Sequence, residues 1–143
     1  DVTDVLRGEA LGLAASRFST QVAVRRALLA LQRDAGLKWN LVAEGRDMGT
    51  VVFPDARAKF FLRANLEERA RRRFKELSDR GESPHFEQVL EEMRERDQRD
   101  ESRAVAPLIQ APDAIAVDAT AVSPDEVVAL LLAVIERRMN LRG

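Results

Sequence analysis

Two short apolar runs, AKFFL at residues 58–62 and AIAVDA at 114–119, are separated by two strongly charged stretches with helical spacing. Strands that alternate with helices predict a parallel sheet covered by helices on both faces, an α/β class of fold. A third run, Leu41, Val42 and Ala43, ends at Gly45 and reads as another buried strand, because it is continuously apolar rather than alternating. In such sheets ligands collect at the carboxyl ends of the strands. The stretch AEGRDMGTVVFPDA, residues 43–56, begins at such an end, so position alone makes Arg46 and Asp47 candidate site residues.

The helices have their own signals. Leucines and alanines over residues 4–17 predict one helix, and Ser19 or Thr20 would cap a second whose Val24, Leu28 and Leu31 lead to a stop at Gly36. Asn65 and Glu68 form a capping-box pattern that opens a charged helix to about Arg80, with Gly81 ending it. Ser83 and Pro84 would start another through SPHFEQVLEEMRERDQRD, and ESRAVAPLIQAPD, broken by Pro107 and Pro112, reads as a loop. Ser123, Pro124 and Glu126 open the last helix, through VVALLLAVIERR.

Composition narrows the chemistry. A chain of 143 residues, 45% hydrophobic and 33% charged, suits one soluble domain with a modest core. It has no cysteine, so disulfides and thiolate chemistry are excluded. With His85 the only histidine, a zinc site and a Ser-His-Asp arrangement are disfavoured too. No long apolar run is present, and a cytoplasmic location with no membrane partner is the expectation. Of the 23 basic residues only Lys38, Lys59 and Lys75 are lysines, and arginine supplies fixed, forked donors suited to phosphate. A net charge of -1 argues against an arginine-rich RNA-binding domain. The dense run ERARRRF, residues 68–74, lacks interleaved aromatics and reads as a solvated helix face, while Trp39 reads as a loop anchor. No G-x-x-x-x-G-K-[ST] motif occurs, so a phosphate cradle of that type is absent from the sequence.

Arg46, in a glycine-flanked turn, has the chemistry to grip a phosphate bidentately, but Arg46 and Asp47 are equally at home as ordinary loop charges. Arg96, Arg99 and Arg103 would share one face if their helix continued that far. Asp97, Asp100 and Glu101 would neutralise much of that field, so local sequence leaves both readings open there as well.

Taken together, AASRFSTQVAVRRALLALQR, AEGRDMGTVVFPDARAKFFL, ERARRRF and RERDQRDESRAVAPL closely resemble bacterial cytidylate kinase. The likeness runs the length of the chain, and GRDMGTVVFPDA with RD-x-RD-x-x-R-x-x-APL is its most specific part. The resemblance implies a nucleoside-monophosphate kinase fold of the P-loop NTPase class. It also implies transfer of the terminal phosphoryl group of ATP, with Mg2+, to CMP or dCMP. The chain starts at Asp1 rather than methionine. Against that family the chain lacks the first strand, the phosphate-binding loop, the helix behind it and the earlier half of the monophosphate-binding domain. On that reading residues 1–36 are the helical remainder of the monophosphate-binding domain, 37–143 are the core α/β domain, and 81–106 form a lid.

Carried over residue by residue, the resemblance implies that Ser16, Arg25 and Asp47 contact cytosine. Arg46 and Arg103 would hold the acceptor phosphate, Arg96 the phosphate or ribose, Asp100 the sugar hydroxyls, and Arg72 the ATP side. The base chemistry fits, since cytosine offers an amino donor that a carboxylate accepts, and acceptors that a guanidinium and a hydroxyl serve. Uracil would turn a carbonyl oxygen toward Asp47, and an unpaired buried polar group costs about 1 to 3 kcal/mol. No metal ligand is implied in the chain itself, and the complete protein is expected to be a monomer without nucleic-acid partners. The alternative is a non-catalytic CMP-binding remnant, or a fragment that needs its N-terminal half.

Overall fold

The computed structural model describes residues 9–19, 21–102 and 108–140, arranged as two compact units that divide between Gly45 and Arg46. In the first unit, helix α1 spans Glu9–Phe18 and helix α2 spans Val22–Lys38. Ser19 is not the N-cap of α2, and Thr20 lies outside the described residues. The N-cap is Gln21, which makes no side-chain cap bond, while the Gln21 amide donates to the Phe18 carbonyl at 3.0 Å. The helix also passes through Gly36 rather than stopping there, and the Trp39 amide still donates to the Ala35 carbonyl at 3.1 Å. Glycine inside a helix costs only about 1 kcal/mol, and the Lys38–Asp34 pair one turn apart, at 2.6 Å, supports the same last turn.

The run Leu41 to Ala43 is not a strand. It has no regular secondary structure, and Val42 is 98% exposed. An apolar run becomes a strand only where a neighbouring edge can satisfy its backbone, and composition cannot supply that neighbour. Trp39 is 72% exposed and anchors nothing among the described residues.

In the second unit, a single π-helical turn at Met48–Val52 precedes strand β1, Phe60–Arg63. Helices α3, Leu66–Asp79, and α4, Phe86–Glu101, follow. Strand β2, Ile115–Asp118, and helix α5, Pro124–Asn140, complete it. The strands pair in parallel, Phe60 opposite Ile115 through Arg63 opposite Asp118, so the expected parallel α/β arrangement is present with two strands among the described residues. Two amides tie the ends of the ladder, Ile115 N–H to the Lys59 carbonyl at 3.0 Å and Ala119 N–H to the Arg63 carbonyl at 2.7 Å. The core gathers Val117, Ala119 and Val127 with Phe60, Ile115, Val122 and Leu131, which seats α5 on the sheet by apolar burial.

Local chemistry explains the helix ends. Asn65 Oδ1 accepts from the Glu68 amide at 2.7 Å, as a capping residue should. The return half of that box is replaced, because the Asn65 amide donates to Thr120 Oγ1 at 3.0 Å and so ties α3 to the chain after β2. Gly81, at φ 82°, turns the chain out of α3, with its amide on the Ser78 carbonyl and the Glu82 amide on the Leu77 carbonyl. Ser83 does not cap α4, whose N-cap is His85 without a side-chain bond. Ser123 and Glu126 form the full reciprocal box at α5, with Ser123 N–H to Glu126 Oε2 at 2.7 Å and Glu126 N–H to Ser123 Oγ at 3.3 Å. Phe74 and Phe86 meet edge to face, 6.1 Å between centroids, where α3 and α4 pack.

Candidate functional site

The turn at 46–52 is built on one carbonyl. The Asp47 oxygen accepts from the amides of Thr50, Val51 and Val52 at 3.3, 2.9 and 3.2 Å, and the Phe53 amide closes onto Met48 at 2.7 Å. Single π turns are uncommon and gather at functional sites. This one re-aims the chain so that Asp47 is buried, at 8% exposure, while Arg46 beside it keeps a partly open side chain. The two charges therefore open a wound turn rather than close a strand.

Arg46 reaches the other end of the unit. Its Nη1 donates to Asp100 Oδ1 at 2.6 Å. Asp100, in the last turn of α4, is 3% exposed, and its carbonyl accepts from the Leu108 amide at 3.2 Å. A buried carboxylate needs a charged or hydrogen-bonding partner, and Arg46 is such a partner. Arg96 stands one turn earlier on the same helix, exposed, with no hydrogen bond or ion pair among the described residues. Arg99 donates back to the Glu95 carbonyl at 3.2 Å. The structure thus brings Arg46, Asp47, Arg96 and Asp100 to one turn and one helix end. Arg103 and the side chain of Ser16 lie outside the described residues. Arg25, in the first unit, points Nη1 toward the Ser19 carbonyl at 3.5 Å.

Arg72 occupies a different place. Its Nε donates to Glu68 at 2.9 Å, and its Nη2 reaches the carbonyls of Ala119 at 2.7 Å and of Thr120 and Val122 at 3.5 Å. It therefore clamps α3 to the segment at the carboxyl end of β2, where parallel sheets place ligands. The other arginines of ERARRRF are also engaged. Arg69 makes a two-pronged contact with Asp97 of α4, at 3.0 and 2.6 Å, while Arg71 pairs with Glu67 and Arg73 with Glu76.

Sequence reasoning passed over Lys59. Its Nζ donates to the Pro54 carbonyl and, at 2.8 Å, to Asp113, and the residue is 7% exposed. The lysine holds the Asp113 carboxyl below its ordinary range by that hydrogen bond. The one available signal was a lysine at the head of an apolar strand in a chain that otherwise uses arginine.

Parallel strands with the intervening and following helices define an α/β protein. The particular family is given by comparison: the chain belongs to the cytidylate kinase family, whose model matches residues 1–137. It is 52% identical over 140 residues to the cytidylate kinase of Aeromonas salmonicida (strain A449), covering 98% of this chain and 61% of that one. Against the enzyme of Vibrio vulnificus (strain YJ016) the identity is 51%, covering 97% and 62%. Against that of Pasteurella multocida (strain Pm70) it is 45%, covering 100% and 63%. The chain therefore spans about three fifths of the length of these curated relatives.

Proposed function

We propose that the protein to which this chain belongs phosphorylates CMP and dCMP at the expense of ATP, and that this chain carries the acceptor-nucleotide half of the site. In this reading Asp47, with Ser16 and Arg25, reads cytosine. Arg46 and Arg103 hold the acceptor phosphate, Arg96 the phosphate or ribose, Asp100 the sugar hydroxyls, and Arg72 borders the ATP side. The fold is then part of a P-loop nucleoside-monophosphate kinase, with residues 1–36 from the monophosphate-binding domain, 37–143 from the core, and α4 within a lid over 81–106.

The observation that carries the reading is the Arg46–Asp100 contact, which joins GRDMGT to RD-x-RD in space. Phosphoryl transfer asks little covalent work of a protein. It requires two anionic nucleotides held in line and the charge on the moving group stabilised. A guanidinium already fixed by a buried carboxylate is oriented before the nucleotide arrives, which lowers the ordering cost of binding. Among the described residues no three His, Cys, Asp or Glu side chains are grouped to hold a metal. Mg2+, when bound with ATP, would shield the charge of its phosphates.

Steady-state assays on the full-length protein test this. ADP release with ATP should be supported by CMP and dCMP, and about tenfold or more less efficiently by UMP. Equal use of UMP, or no turnover with CMP, rejects the reading. Separate titrations with CMP and with ATP address the second reading, a binding remnant, which predicts CMP binding without turnover.

A further inference from the structure

Among the described residues three polar or charged side chains are buried, Asp47, Lys59 and Asp100. Two of these are accounted for by the acceptor site. Lys59 is not, although a buried ammonium is costly unless it does something that a hydrophobic residue cannot.

Its surroundings connect it to the turn that presents Arg46 and Asp47. The stem of Lys59 runs against Gly49, two residues beyond Asp47. A Cβ placed on Gly49 would stand 3.2 Å from Lys59 Cδ and 3.7 Å from both Lys59 Cγ and the Ala111 side chain. The contact thus exists because position 49 is bare. Beyond the stem, the ammonium donates to the carbonyl of Pro54, which follows the π turn, and to Asp113, which precedes β2. At the other end of the same residue, the Lys59 carbonyl accepts the Ile115 amide that starts the β1–β2 ladder. One residue therefore belongs to the sheet by its backbone and to the turn by its side chain.

We propose that Lys59 is a positioning residue for the acceptor nucleotide: it braces the 46–54 turn against the sheet and the 111–113 segment, and so sets where Arg46 and Asp47 stand. This rests on the acceptor-site reading above and deepens it. Lys59 touches no substrate in this scheme and acts through the two residues that do. Its loss should therefore damage recognition of CMP while leaving the ATP side alone. A merely structural role predicts something else, a smaller active fraction with unchanged Michaelis constants.

The test is Lys59→Met in the full-length protein, which keeps most of the stem and removes the ammonium, assayed against both substrates. The KM for CMP should rise about tenfold, the size of effect of one lost charge-assisted hydrogen bond. The preference for CMP over UMP should fall with it, and the KM for ATP should stay within about twofold. Lys59→Arg should restore part of the CMP affinity. Asp113→Asn, which alters only the exposed partner, should raise the KM for CMP by about threefold and provides the test if Lys59→Met does not fold. A fall in kcat alone, or unchanged CMP constants in whichever variants fold, overturns the inference and leaves the proposed function standing. Wild-type protein that fails to phosphorylate CMP removes both.

Discussion

The guanidinium of Arg46 and the carboxylate of Asp100 meet at 2.6 Å although 54 positions separate them, and they do so with the carboxylate almost wholly buried. A pair of this kind is asymmetric, since Arg46 retains access to solvent while the Asp100 carboxylate is buried. Removing the arginine should therefore be the more damaging change, leaving a buried charge without this partner. Arg46→Ala should lower stability by about 2 kcal/mol, and Asp100→Asn, which keeps an acceptor, by about 1 kcal/mol, measured by urea midpoints. Equal losses would show that burial of Asp100 is not what the pair sustains.

Asp47 and Arg46 are neighbours with separable expected tasks. In the full-length protein Asp47→Ala should cut the preference for CMP over UMP by about tenfold, if the lost acceptor faces the base as proposed. Arg103→Ala should lower turnover while keeping that preference, since a phosphate carries no base information. Unchanged base selection in the Asp47 variant would remove its reading role.

The bidentate Arg69–Asp97 contact joins α3 to α4, with both side chains 33% exposed. Partial exposure and solvent screening limit its worth to about 1 kcal/mol. A double-mutant cycle of Arg69→Ala and Asp97→Ala, read by urea denaturation, should return a coupling of that order. A coupling indistinguishable from zero would mean that apolar packing, the Phe74–Phe86 contact included, seats the two helices without help from this pair.

Three carboxyls, Asp113, Asp118 and Glu126, are held below their ordinary values of 3.8, 3.8 and 4.5. The causes are hydrogen bonds from Lys59, from Thr120 and from Ser123 respectively. Each binds a proton less readily folded than unfolded, so its contribution is complete above the ordinary value and is lost as pH falls through the lower folded value. Thermal midpoints should accordingly drop as pH falls below the ordinary carboxyl values of 3.8 to 4.5. An Asp113→Asn/Ser123→Ala variant should show a shallower decline, and parallel curves would dissociate these contacts from acid stability.

Much of this was legible in the chain. Asn65 and Ser123 announced two helix starts by side chains that bond their own backbone, and the two apolar runs of the sheet are short, β-rich and separated by charged helices. Those signals are local. The failures came where the deciding partner lies elsewhere. Leu41–Ala43 has the composition of a strand but forms none, Ser83 has a capping side chain but not the cap position, and Gly36 carries no signal of whether the next turn holds. For the candidate site, Arg46 and Asp47 were singled out from a strand end that is not there, and residue type left them balanced against ordinary loop charges. Neither the Arg46–Asp100 pair nor the brace from Lys59 could be read, because each is a contact between segments with no shared pattern.

The long separations have a kinetic meaning. Arg46–Asp100 and Lys59–Asp113 each span 54 positions, and the strand register that aligns them spans a similar distance. None of these contacts can form until the α3–α4 crossover has closed the chain on itself, and closure is the slow, entropically opposed step of a parallel pairing. The proposed acceptor site is thus absent from any state in which the crossover is open. Recovery of nucleotide binding during refolding should lag helix formation and coincide with sheet closure, which makes a bound nucleotide a reporter of the whole unit rather than of its turn.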